Sequence, residues 1–145
     1  MIHEWRREDY TVSTDPARLQ LDVIHGFLTG SYWAAGIPRE TVERSLRNSL
    51  CYGVYLGDTQ VGFGRLVTDS ATFAYVADVF ILDAYRSRGL AKWMARCMVE
   101  TPELKGLRRW LLATRDAHAV YRSVGFETVT DTSRFMQILN REVYR

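Results

Sequence analysis

Residues 76–95, VADVFILDAYRSRGLAKWMA, carry the chain from one periodicity to another and so decide its fold class. They begin within Thr72–Leu82, which is nearly apolar on both alternating faces, the pattern of a central strand covered on both sides. Asp78 is its one charge. From Gly89 to Thr101 the spacing turns helical: Leu90, Met94 and Met98 point one way, Lys92, Arg96 and Glu100 another, and Pro102 closes the helix. A buried strand passing through a short basic loop into a helix predicts an α/β arrangement. The loop also has a chemical use. Amides in the first turn of a helix lack intrahelical partners and sit at the positive end of its dipole, so that end suits an anion. Gly89 and Ala91 leave room for a phosphate against the backbone, and Arg86, Arg88 and Lys92 set three cations among Ser87, Gly89, Leu90 and Ala91. Hydrogen bonds to charged groups contribute about 1.5–3 kcal/mol each, enough for a few amides and one arginine to anchor a diphosphate. The same residues also read as a solvated basic turn capping a helix.

Working outward, a first strand is expected at Tyr10–Ser13, followed by Asp15 as a cap and Pro16 at the first position of a helix. Leu19, Val23 and Phe27 form its apolar stripe, and Gly30 ends it. A loop from Ser31 to Ile37 precedes a second helix, in which Val42, Leu46 and Leu50 recur every four residues. From Cys51 to Leu82, turns at Gly57-Asp58 and Thr68-Asp69-Ser70 divide a three-stranded meander. Beyond the central helix come a strand at Arg108–Ala113, a short helix from Asp116 to Gly125, and two closing strands at Phe126–Thr130 and Phe135–Leu139. The expectation is an α/β (α+β) fold with a mixed, mostly antiparallel sheet of about six to seven strands flanked by about four helices. One domain is expected to span residues 1–145.

Composition narrows the function. With 145 residues, 47% of them hydrophobic and 25% charged, the chain is outside the disordered and fibrous classes and needs no metal or disulfide staple. Its 19 basic and 17 acidic residues are spread without a run of like charge, so no nucleic-acid partner is expected and any anion must be held locally. Cys51 and Cys97 are too few for a disulfide framework, and the histidines stand apart from them, so no metal site is expected. No apolar stretch approaches the ~20 residues that span a bilayer, and MIHEWRREDY is too polar for a signal peptide. A reducing, cytoplasmic setting with no membrane partner is the expectation.

Arg86-x-x-Gly89-x-Ala91 resembles the R/Q-x-x-G-x-G/A signature of the GNAT N-acetyltransferase superfamily. VFILDAYR looks like that family's strand-to-loop approach, and Ala117-x-x-x-Tyr121-x-x-x-Gly125-Phe126 looks like its second motif. The order of elements is similar across almost the whole chain. Asp83 stands where the family often has proline, Ala91 where glycine is commoner, and Thr114 where many members have asparagine. The resemblance implies acetyl-CoA as cofactor, its pyrophosphate on residues 86–92, its pantetheine arm on the main chain of Val79, Phe80 and Ile81, and one hydrogen bond from Thr114. It also implies direct attack by a primary amine, of a small molecule or a protein, on the thioester within a ternary complex. Paired closing strands in members of the family make a homodimer an expectation.

The chemistry asks for a base near the amine, donors for the oxyanion and an acid for the departing thiolate. Tyr121, on the inner face of the last helix, stays protonated at neutral pH and is the candidate acid, although the position also suits a core tyrosine. Asp78 has four readings: base, direct contact to the amine, partner of an arginine, or a carboxylate solvated in the cleft. Tyr32 and Trp33 in the loop between the first helices, with Tyr75 on the central strand, are the candidate acceptor pocket, since aromatic faces attract cations. A non-catalytic acyl-CoA sensor of the same shape is the competing reading. A nucleotide site is weaker, because G-K-[S/T] is absent.

Overall fold

The computed structural model describes all 145 residues. Two short strands open it, β1 (Glu4–Arg7) and β2 (Tyr10–Ser13), followed by α1 (Leu21–Leu28) and α2 (Arg39–Arg47). The meander is β3 (Leu50–Leu56), β4 (Thr59–Thr68) and β5 (Phe73–Ile81), after which come α3 (Leu90–Glu100), β6 (Arg109–Leu112) and α4 (His118–Arg122). All six strands form one sheet in sequence order, antiparallel except for the β5–β6 pair. The mixed, mostly antiparallel sheet and four helices are therefore as the sequence implies. No helix is long and apolar enough to cross a membrane.

The sheet is covered on both faces, as the apolar β5 requires. α3 lays Leu90, Met94, Ala95, Cys97 and Met98 against one face, over Val12, Tyr52, Val54 and Leu66. α1 and α2 cover the other with Ile24, Leu28 and Val42, over Cys51, Phe63 and Phe80. Gly64 lets α3 approach: a Cβ there would stand 2.7 Å from the Met98 methyl. Burying side chains of this size contributes about 1.5–3 kcal/mol each, which sets α3 firmly against the sheet.

Four boundaries differ from the sequence reading. Pro16–Arg18 is a separate 3-10 turn, with the Asp15 side chain accepting from the Ala17 amide at 2.9 Å, and α1 begins only at Leu21. α2 stops at Arg47, and Leu50 opens β3. β1 is an edge strand whose residues Glu-Trp-Arg-Arg are mostly exposed and carry no apolar alternation. The two closing strands do not form. Residues 126–131 and 135–140 make no ladder hydrogen bonds with β6, whose outer edge stays unpaired. Phe126 is half-buried against the core, whereas the apolar residues of 135–140 remain at the surface, with Met136 97% and Ile138 104% exposed.

Candidate active site

The site begins with an irregularity in β5. Arg65 pairs with Ala77 and Phe63 with Phe80, so Asp78 and Val79 together oppose the single residue Gly64. This is a β-bulge, with Asp78 at φ +56°, a conformation that costs an L residue free energy and tends to mark function. The ladder to β6 ends at Val76–Leu112, while β5 itself runs on to Ile81. From Ala77 to Ile81, β5 therefore has β4 on one side and no strand on the other. The main chain of Val79, Phe80 and Ile81 lines this open edge.

The edge leads into the basic loop. A 3-10 turn, Asp83–Tyr85, delivers the chain to Ser87 at φ +65° and Gly89 at φ +74°, directly before α3. Alternation of left- and right-handed residues turns successive amides toward one point, forming a concave nest for anions. The six amides from Ser87 to Lys92 donate to no protein acceptor, and the first intrahelical bond is Trp93 N to Gly89 O at 3.0 Å. Only a residue without a Cβ adopts φ +74° at position 89 without strain.

The cations divide unexpectedly. Arg86 Nε donates to the Ile81 carbonyl at 3.1 Å and its Nη1 pairs with Asp83 at 3.0 Å, so Asp83 anchors the arginine where the family often has proline. Arg88 reaches Tyr10 Oη at 3.2 Å and the Ala84 carbonyl at 3.4 Å. Both hold the loop in shape. Lys92 has no acidic partner, nor does Arg7 of β1, which lies 3.4 Å from the Gly89 carbonyl and stacks over Trp93 at 5.4 Å. Arg7 is not a candidate from the sequence, because nothing there links residue 7 to residue 89.

On the other flank of the open edge, α4 presents Tyr121. Its ring meets Phe126 edge-on at 5.7 Å, and it is 9% exposed. Burial pushes its phenol up to about 12. The hydroxyl has no protein partner and is not sealed off, in contrast to that of Tyr55, which is buried and unpaired. Tyr121 lines a cleft of about 250 Å³ with Leu112, Thr114, His118 and Phe126. Thr114 Oγ1 accepts from the amide of Ala117, the residue just before α4, at 3.1 Å, leaving its own proton to donate.

Asp78 is brought to Trp33, 45 residues away. Trp33 Nε1 donates to Asp78 Oδ1 at 2.8 Å, Arg65 Nε donates to Oδ2 at 2.7 Å, and Arg65 Nη1 donates to Ser49 Oγ at 3.1 Å. The aspartate and arginine side chains are 11% and 19% exposed, so the pair is largely withdrawn from water. Trp33 caps an aromatic stack that runs through Phe27 to Phe80, the last two parallel at 4.1 Å. Tyr32 meets Trp33 edge-on at 5.1 Å, and its ring face is covered by the Arg115 guanidinium at 3.9 Å. Tyr75 sits on β5 opposite Val67 and Leu111 and is outside this cluster. Arg65 and Arg115 are not candidates from the sequence either, though Arg65 is the one charge in TQVGFGRLVT.

Cys51 and Cys97 are buried and free, and burial pushes each thiol up to about 12, so neither supplies a thiolate nucleophile.

An α/β sheet with a split edge, a nest of free amides at one end of it and a tyrosine and a carboxylate on its flanks is an arrangement suited to an extended anionic ligand. The family model for the acetyltransferase (GNAT) family matches residues 1–126, and the chain belongs to that family. A Gibberella zeae protein that bears an acetyltransferase name is 36% identical over 147 aligned positions, covering 85% of this chain and 82% of that one. A GNAT-family crystal structure from Xanthomonas campestris superposes with a TM-score of 0.88 at 37% identity, over 99% of this chain and 96% of the other. A GNAT acetyltransferase from Elizabethkingia anophelis with acetyl-CoA bound shares the fold at a TM-score of 0.65 and 11% identity, over 85% of this chain and 79% of that one.

Proposed function

We propose that this acetyltransferase uses acetyl-CoA and transfers the acetyl group to a primary amine, of a small molecule or a protein, by direct attack. The observation that carries the reading is the row of six unpartnered amides, Ser87–Lys92, continuous with the open edge of β5. Neither feature suits a closed structural turn, and together they match a ligand with a diphosphate and an amide-bearing arm. Bound acetyl-CoA supplies the activated thioester. The nest, with Lys92 and Arg7 as its unpaired cations, holds the diphosphate. Main-chain groups of Val79, Phe80 and Ile81 pair with the arm as a strand would, and an amide there polarises the carbonyl. The Thr114 hydroxyl donates from the opposite flank.

Tyr121 holds the proton that the departing thiolate needs. With its phenol raised to about 12, Tyr121 is fully protonated at neutral pH; the proton it gives to the thiolate, whose thiol has a pKa of about 8.5, is recovered from solvent. Asp78 contacts the acceptor, and the proton that the amine loses on attack passes to this carboxylate or to water. Reduced, buried cysteines fit a cytoplasmic setting. A homodimer is also part of the reading. The chain exposes both the β6 edge and an apolar row (Phe135, Met136, Ile138, Leu139), so two copies can each offer a strand to the other's edge, a closed isologous arrangement.

Thiol release from acetyl-CoA with a broad panel of amines, alongside CoA titration, tests the function. Release with at least one amine is the expected result. CoA binding with no release across the panel identifies a sensor instead, and no CoA binding overturns the reading altogether.

A further inference from the structure

We infer that the Trp33 indole N–H holds the place of the acceptor amine on Asp78 Oδ1, and that Arg65 is the positioning residue that keeps this carboxylate aimed at the acceptor site. The inference deepens the acetyl-transfer reading and rests on it.

Three observations converge. The bulge turns Asp78 out of the strand's alternation at a strained φ of +56°, although a regular strand would have let this residue pair normally. Such strain persists only where neighbours enforce it. Here Arg65, itself fixed by Ser49, binds Oδ2, and Trp33 binds Oδ1. The Arg65 bond is to the other oxygen and does not depend on the indole.

The second observation is the unequal standing of the two donors. Arg65 is a β4 side chain, 19% exposed, and cannot leave without stranding a buried carboxylate. Trp33 is in the loop between α1 and α2, and is 41% exposed. It offers Oδ1 one neutral N–H at 2.8 Å. A primary amine offers the same donor type, and an ammonium a stronger one, since charge-assisted hydrogen bonds are roughly twice as strong as neutral ones. An arriving amine therefore has the advantage in exchange.

The third is position. Asp78 immediately precedes Val79–Ile81, the open edge assigned to the thioester arm, so an amine on Oδ1 is adjacent in sequence and in space to that edge. A primary amine can donate one N–H to Oδ1 and keep its lone pair for attack. The Arg115–Tyr32 stack joins the loop to the segment after β6, across the split. The loop that carries Trp33 is thus tied on the far flank while its indole is free to yield. The class of acceptor follows: a primary amine whose body lies against the Tyr32–Trp33 edge.

Steady-state thiol release with the best amine of the panel, on the full chain, tests this. Trp33→Phe keeps a ring and deletes the donor, and the amine KM is expected to fall about five-fold, a change larger in KM than in kcat. Asp78→Asn raises the amine KM at least about ten-fold. Arg65→Gln raises it in the same sense, and Arg65→Lys restores most of the loss; CoA Kd and thermal midpoint are measured for each variant. An amine KM that is unchanged or raised in Trp33→Phe overturns the inference, as does an unchanged KM in Asp78→Asn. Failure of Arg65→Lys to rescue overturns the positioning role. If the unaltered protein releases no thiol with any amine, the acetyl-transfer reading falls and this inference with it; turnover in the unaltered protein with unmoved variants sinks this inference alone.

Discussion

Replacing Gly89 by alanine separates the two things that glycine does. The residue sits at φ +74° directly before α3, and a Cβ there would meet only Arg7 Nη1, at 3.8 Å. The substitution therefore meets no clash, and its cost is conformational, about 1–2 kcal/mol for an L residue held left-handed. In a domain of this size 1 kcal/mol moves the midpoint by about 2–4 °C, so Gly89→Ala should melt about 2–8 °C lower. Gly106 offers a matched control: it lies at φ +89°, a Cβ there would have no neighbour within 4 Å, and it is outside the nest. Gly106→Ala should lose a similar amount. The variants should part when CoA is added. At about one hundred times Kd, binding contributes about 2.7 kcal/mol, or about 5–10 °C. Gly106→Ala keeps that rise. Alanine at 89 relaxes toward negative φ and rotates the peptide planes on either side of it, so amides that converge on the anion diverge. A ten-fold loss of affinity, about 1.4 kcal/mol, halves the rise. Thermal unfolding with and without CoA reads both effects. If both variants drop alike and both retain the full rise, the nest is not where the diphosphate binds.

Tyr121→Phe should leave CoA Kd within about two-fold and lower kcat by about a hundred-fold or more, and an unchanged kcat rejects the tyrosine as acid. Because burial raises this phenol to about 12, its protonated form is complete below about pH 10 and fades only as pH climbs toward 12. A kcat profile on stable protein should therefore show no falling limb from this group below about pH 10, and a limb near pH ~9 that vanishes in Tyr121→Phe contradicts it. The buried thiols of Cys51 and Cys97, each raised to about 12, should resist iodoacetamide at about pH 8 in the folded protein and both react after unfolding; mass spectrometry counts them. Light scattering should give a dimer mass that falls to the monomer mass in Met136→Lys with Ile138→Lys, and a monomer in the unaltered protein at all concentrations removes the role given to the tail.

What can be read in the sequence is whatever is contiguous in it. Residues 86–92 are one loop, so their spacing, the glycine and the start of α3 are visible together. Tyr121 is visible because its helix repeats on one face. The Asp78 cluster is not, since Trp33, Arg65 and Asp78 lie on three segments and meet only through a bulge that composition does not announce. β1 is equally hidden, because an edge strand with exposed, charged residues lacks the alternation that a half-buried strand shows. The opposite error occurs at Phe126–Thr130 and Phe135–Leu139. Alternation there is real, but a strand also needs a ladder, and these residues make none with the free edge of β6 or with each other. The same limit applies to the basic loop: Arg86, Arg88 and Lys92 look alike as letters, whereas Arg86 and Arg88 are occupied with the Ile81 and Ala84 carbonyls.

One extra residue in β5 accounts for most of what makes the site. Before it, Val76 faces α3; after it, Val79 and Ile81 do, while Phe80 turns to α1 and Phe27. Without the insertion the alternation would put Phe80 on the α3 face, beside Val76, and leave the α1–α2 face without the ring on which Phe27 stacks. The ladder to β6 stops at Val76, just before the insertion, and from there to Ile81 that edge of β5 is open. The insertion also places a carboxylate at the point where the two strands part, bound by Arg65 on one oxygen and by the Trp33 indole on the other. The open edge of β5 and the Asp78 cluster thus meet at one backbone irregularity. A sheet that ran straight through residue 78 would have neither, even with every side chain of residues 86–92 in place.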